Sequence, residues 1–193
     1  MNIMKLYHTS ALELKKPDVH FGRKNADFGG GFYLSDNLEF AKKWANDRKN
    51  CINFYTLDLS DLNVKRFERD EEWFDYIANN RAGNKDKYAA YDVVIGPIAN
   101  DTLFDTYGII FSGLISSNDA LKLLKVGNQF TQINIKSEKA ASQLTWEHAE
   151  LLQSDEIAKS KVLLRSEEAE FRTAFESALK DLQNFEEINE IIS

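Results

Sequence analysis

Apolar and polar positions alternate along residues 3–8, which predicts an opening strand with Met4, Leu6 and His8 on one face. The same period predicts a short strand at Phe32-Tyr33-Leu34, with Tyr33 and Ser35 on one face and Phe32 and Leu34 on the other. Between them, residues 11–26, holding Pro17, Gly22, Arg23 and Lys24, read as a loop leading into Gly29-Gly30-Gly31. After Leu34 the period lengthens. Leu38, Ala41, Trp44 and Ala45 fall on one side of a helix ending near Lys49, with Asp36 as its N-cap and Glu39 three residues later. A glycine turn thus feeds a strand and the strand feeds a helix, an order that lets Tyr33 and Trp44 face one pocket.

Farther on, β-branched and aromatic residues 52–57 predict a strand, 58–61 a turn and 62–64 another short strand. Asp70-Glu71-Glu72 opens a helix with acids at the positive end of its dipole and Trp73, Phe74 and Ile77 on its buried face. Residues 81–87 are a polar loop, and the apolar run 91–95 is a strand stopped by Gly96-Pro97. Helices are expected at 102–111 and 118–126, the second capped by Ser116 or Ser117. In the strand expected within 127–135, Gln129, Thr131, Ile133 and Ile135 share one face, and Phe130, Gln132 and Asn134 the other. Parity forbids Gln129 and Gln132 from entering the same site. From Glu167 a stripe of Phe171, Phe175, Ala178, Leu182, Phe185 and Ile188 marks an otherwise acidic helix. Five or six short strands among helices, without strict alternation, predict an α+β fold.

Composition divides the chain of 193 residues into a main domain at 1–143 and an acidic helical tail at 144–193. The first part carries 19 acidic and 19 basic residues, the second 12 and 5, so the whole excess charge of −7 lies in the tail. Such a tail is unsuited to phosphate contacts, which need Lys and Arg. No apolar run is long enough for a membrane span, and residues 1–5 lack the pattern of a signal peptide. The lone Cys51 reads as a core thiol in a reducing cytoplasm, and one Cys with three scattered His is too few ligands for zinc, so no metal is expected. The glycine run lacks the strand-to-helix context of a dinucleotide fingerprint. His20 and His148 read as structural. Asp92 and Asp101 flank the Gly-Pro turn, either as turn and cap residues or near an acceptor site.

Four segments carry a likeness. Lys5-Leu6-Tyr7-His8-Thr9-Ser10 resembles the first-strand motif, aromatic-His-Gly-Ser, of the diphtheria-toxin-like and poly(ADP-ribose)-polymerase-like ADP-ribosyltransferases. Phe28-Gly29-Gly30-Gly31-Phe32-Tyr33-Leu34-Ser35 resembles their second motif, and Gly127-Asn128-Gln129-Phe130 their third, an Asn-Glu-Tyr at a late strand. With Tyr91-Asp92-Val93-Val94-Ile95-Gly96-Pro97, the order over residues 3–143 is similar to that of a bacterial group of toxin-like domains found beside small antitoxin-like partners.

The resemblance implies a split β-sandwich with flanking helices and a mono-ADP-ribosyltransferase acting on NAD, as the toxin of a toxin-antitoxin pair. His8, Tyr33 and Gln129 would be its catalytic triad. His8 would bond the adenine-side ribose, Thr9 would offer main-chain groups to the nicotinamide amide and Ser10 would brace their turn. Phe28, Gly29 and Gly31 would join them in binding NAD. Tyr33 would stack on the nicotinamide, Trp44 would close its other face and Gln129 would hold the ribose hydroxyl. The acceptor would be a macromolecule, protein or nucleic acid.

Three positions depart from the family pattern: Thr9 replaces Gly, Gln129 replaces the catalytic Glu, and Ala41 lacks a hydroxyl used by relatives. A glutamine adds no negative charge beside a developing cation and cannot serve as a base. That favours single transfer over chain elongation. It also keeps open an NAD glycohydrolase, a catalytically weak NAD-binding module, or an interaction protein acting through the tail.

Overall fold

The computed structural model describes residues 3–99, 116–182 and 186. Seven strands form one sheet: β1 (Ile3–Ser10), β2 (Phe32–Ser35), β3 (Cys51–Asp58), β4 (Val64–Arg66), β5 (Val93–Pro97), β6 (Thr131–Ile135) and β7 (Leu144–Leu151). Their order is β4-β5-β6-β2-β1-β3-β7, antiparallel except for β4 against β5. Among the described residues the helices are α1 (Leu38–Lys43), α2 (Glu71–Arg81), α3 (Ser117–Leu124), α4 (Glu138–Gln143) and α5 (Ser154–Lys180). The fold is α+β, as the pattern predicts. The helix expected at 102–111 lies outside the described residues.

The centre of the sheet is its weakest join. β1 runs the full length of β3, from Ile3↔Asp58 to Ser10↔Cys51, yet meets β2 at Tyr7↔Ser35. Two well-paired halves, β2-β6-β5-β4 and β1-β3-β7, therefore diverge beyond that pair. On the β2 side, the rest of β1 presents main-chain edge rather than a ladder.

Parity assigns the faces. Phe32 and Leu34 of β2, Val93 and Ile95 of β5, and Ile133 and Ile135 of β6 enter one core with Leu6, Tyr55 and Leu57. The opposite face of β5 contributes Val94 to a second core with Phe28, Phe67 and the α2 residues Trp73, Tyr76 and Ile77. Burial on both faces explains why β5 is apolar without alternation. Cys51 is a buried free thiol opening β3.

Several boundaries differ from expectation, and β5 runs on through Gly96 and Pro97, which were expected to end it. Asn37, not Asp36, caps α1, its Oδ1 accepting from Phe40 N at 2.9 Å. The helix ends at Lys43, earlier than the pattern suggested. Residues 144–151, assigned by charge to the tail, form β7 along β3. Glu147 and Glu150 are exposed there because charges guard a sheet edge, so their acidity is no sign of a tail. The tail helix itself begins at Ser154, with a capping box between Gln153 and Glu156.

Candidate functional site

Where the sheet halves diverge, a cavity of about 600 Å³ opens between β1, β2 and α1. His8, Thr9, Tyr33 and Trp44 all line it, although they come from three separate segments of the chain. That volume lies in the range of small-molecule sites.

His8 and Tyr33 meet through the backbone. His8 Nδ1 lies 2.7 Å from the Tyr33 carbonyl oxygen, and its ring packs on Phe32 at 4.5 Å. A carbonyl only accepts, so Nδ1 carries the proton and Nε2 keeps its lone pair. Burial pushes the imidazole below the ordinary histidine range, assisted by Lys49 and opposed by the Tyr33 carbonyl. The neutral ring is thus favoured.

Thr9 donates its hydroxyl to the Ala41 carbonyl, tying β1 to α1 and leaving only main-chain groups for the cavity. Ser10 does brace the strand end: it donates to the Leu12 carbonyl and accepts from Asn53 Nδ2 at 2.9 Å. Tyr33 lines the cavity while its hydroxyl turns back, donating to Gly29 O at 2.7 Å and accepting from Phe28 N at 2.9 Å. Desolvation raises its pKa far above the usual phenol range, so it remains a phenol. Trp44 caps α1 and is 56% exposed, which makes it a wall rather than core.

The glycine turn serves close approach between parts of the protein itself. Phe28 is fully buried between Phe67 and Tyr76, away from the cavity. Its carbonyl accepts from Asn134 Nδ2, Tyr76 Oη and Lys136 Nζ. Gly31, at φ 147°, lets the chain approach β6 so closely that a Cβ would lie 1.9 Å from Asn134 Oδ1. A Cβ on Gly29, at φ 74°, would meet Asp86. Gly29 and Gly31 therefore accommodate protein groups, and of the residues expected to bind NAD, Ser10, Phe28, Gly29 and Gly31 do not line the cavity.

Gln129 is exposed ahead of β6 and does not line the cavity, whereas Gln132, on the opposite parity, does. Ile133 and Ile135 share Gln129's parity and fill the core, which turns Gln132 and Asn134 towards the face of Tyr33 and Ser35. Gln132 pairs directly with Ser35 and donates from Nε2 to Asp27 Oδ2 at 3.0 Å. Asp27 accepts from Arg81 Nε at 2.7 Å through its other oxygen. It is the only carboxylate among the described residues lining the cavity; Arg23, Lys49 and Arg81 line it as cations. Nothing in the local pattern of the sequence marks Asp27, because both of its partners are distant along the chain.

Asp92 is structural: it accepts from Asn63 N and Ser137 Oγ, and both bonds hold its carboxyl below the usual range. Asp101 lies outside the described residues. No group of three potential metal ligands occurs among the described residues, and no described helix is long and apolar enough to cross a membrane.

A second cavity of about 200 Å³ adjoins the first and shares Phe40, Trp44, Ile98 and Ala99 with it. Its far wall is α5, through Leu164, Glu167 and Phe171. Lys43, 6% exposed, pairs with Glu167 and lies 4.6 Å over the Phe130 ring. Phe130 in turn stacks on Phe40 at 4.3 Å. The acidic tail is thereby attached to the helix that carries Trp44.

The family model described as "Protein of unknown function (DUF3990)" matches residues 4–146. No curated protein matches the chain. The match ends within β7, so α5 lies beyond it.

Proposed function

We propose that this chain, which belongs to the DUF3990 family, binds NAD in the larger cavity and transfers its ADP-ribose once to a macromolecular acceptor. The observation that carries this reading is the convergence of His8, Thr9, Tyr33 and Trp44 on one cavity, in the sequence order of the ADP-ribosyltransferase motifs. Arg23 and Lys49, without ion-pair partners among the described residues, suit the pyrophosphate. Tyr33 and Trp44 offer aromatic surface to a flat cationic pyridinium.

In the reaction proposed, the bond between nicotinamide and ribose breaks and nicotinamide leaves with the electron pair. The sugar carbon acquires oxocarbenium character and bonds to the acceptor's nucleophile, whose proton goes to solvent. His8 accepts a ribose hydroxyl at Nε2, the free edge of β1 takes the carboxamide, and Gln132, in place of Gln129, accepts from a hydroxyl of the nicotinamide ribose. Binding NAD in a reactive pose is the main contribution such a site makes. The toxin setting, the antitoxin-like partner and a cytoplasmic location rest on the resemblance and on the lone thiol, rather than on the cavity.

Incubation with NAD labelled in its adenylate half tests the reading. Label retained on protein or nucleic acid supports the transferase; label released as free ADP-ribose identifies a glycohydrolase. NAD bound but intact would identify a binding module.

A further inference from the structure

The Gln132 amide has only one sound orientation. Its Nε2 donates to Asp27 Oδ2 at 3.0 Å, with the Pro97 carbonyl at 3.5 Å behind. Rotating the amide by half a turn would place its oxygen against a carboxylate and a carbonyl, neither of which can donate. With Nε2 so engaged, Oε1 is the polar atom that Gln132 has left to offer the cavity it lines.

Asp27 is itself immobilised. Oδ1 takes Arg81 from α2, with Nε at 2.7 Å and a terminal nitrogen at 2.5 Å, and Oδ2 takes the Ala99 N–H at 3.3 Å. Asn80 Nδ2 holds the Asp27 carbonyl at 2.9 Å. The chain Arg81–Asp27–Gln132 thus transmits the position of α2 to an acceptor atom in the cavity. No other carboxylate lines this cavity among the described residues.

We infer that Asp27 is a positioning residue: it fixes the Gln132 amide with Oε1 towards the substrate, and its charge makes glutamine, not glutamate, the residue that functions at position 132. The inference deepens the NAD reading and rests on it for the identity of the substrate. Its physical content is a repulsion. A carboxylate introduced at position 132 would lie at hydrogen-bond distance from Asp27, and two carboxylates that close share one proton. With that proton bound the pair holds together; once it leaves, the charges push the side chain out of place. The other groups facing the pair are Arg81 from α2, already engaged, Tyr33 from β2, which stays a phenol, Arg23 from the preceding loop, and His8 and Lys49 across the cavity. His8, lowered by burial, titrates on the acidic side of the ordinary histidine range.

Three full-length variants test this: Gln132→Glu, Asp27→Asn, and the double substitution. Thermal stability and NAD affinity are followed from about pH 5 to about pH 9, the span in which a shared carboxyl proton leaves. Gln132→Glu is expected to lose stability as pH rises, and to lose about tenfold in NAD affinity per pH unit above the shared pKa. The double variant, in which an Asn amide donates to the new carboxylate, is expected to bind NAD without that dependence. Asp27→Asn alone leaves Arg81 without its carboxylate and is expected to be the least stable, so the judgement rests on the other two. Gln132→Glu behaving as the parent at every pH, or the double variant retaining the dependence, would overturn the inference. The stability dependence appearing while neither the parent nor any variant binds NAD would uphold the Asp27–Gln132 coupling and overturn the NAD reading instead.

Discussion

His8 Nδ1 approaches the Tyr33 carbonyl oxygen to 2.7 Å and so joins β1 to β2 where their ladder has come apart. One proton is committed to this join, and burial disfavours a second. Because the folded-state pKa lies below the ordinary value of about 6.5, the unfolded chain binds more protons as pH falls from there. His8's contribution to stability is therefore complete above that value and declines below it, until the lowered pKa is passed. Urea unfolding of the parent and of His8→Gln from about pH 7 to about pH 5 measures this, and the stability difference between them should shrink with acid. A difference that is constant, or that grows, would contradict the assignment.

Tyr33 has two separable roles. Its hydroxyl bridges Gly29 and Phe28, and its ring lines the cavity. Tyr33→Phe keeps the ring and leaves the Phe28 N–H without its acceptor, which should cost about 1–3 kcal/mol of stability. NAD affinity should change little. Tyr33→Ala should abolish binding, and calorimetric titration of both variants separates the two effects.

Gln129, exposed and outside the cavity, is expected to be indifferent to substitution. Gln129→Glu should leave NAD affinity and turnover at the parent level. A clear gain or loss in a nicotinamide-release assay would return the third motif to that position.

The tail should matter to α1. Buried Lys43 pairs with half-buried Glu167, and Lys161 Nζ adds a bond to the Lys43 carbonyl at 3.1 Å. Removing one partner, as in Glu167→Gln, leaves a buried charge unmatched and should cost about 3–5 kcal/mol. Replacing both, Lys43→Met with Glu167→Leu, should recover most of that loss. Chemical denaturation of the single and double variants supplies the comparison.

Much of this arrangement was legible before the structure. Alternation placed Tyr33 and Ser35 opposite Phe32 and Leu34, and the motif order brought His8, Thr9, Tyr33 and Trp44 to one cavity. That Gln132 rather than Gln129 lines the cavity was also written in the chain: Ile133 and Ile135 share parity with Gln129, and two apolar residues mark a core face. Other features were hidden for physical reasons. Asp27's partners, Arg81 and Gln132, are 54 and 105 residues away, and only tertiary structure pairs them. The glycine run announces close approach but not by what, and here the answer is Asn134. In β7, alternating exposure on an edge strand gave glutamates that matched the tail's composition.

The most direct test of the account is nicotinamide release from NAD by the full-length protein, measured beside His8→Ala, Tyr33→Ala, Gln132→Ala and Gln129→Ala. The account predicts release by the parent and by Gln129→Ala, with the other three reduced by about a hundredfold or more, the order of loss when a reacting group is misplaced. Release that ignores His8, Tyr33 and Gln132, or a parent protein that neither binds nor consumes NAD, would contradict it.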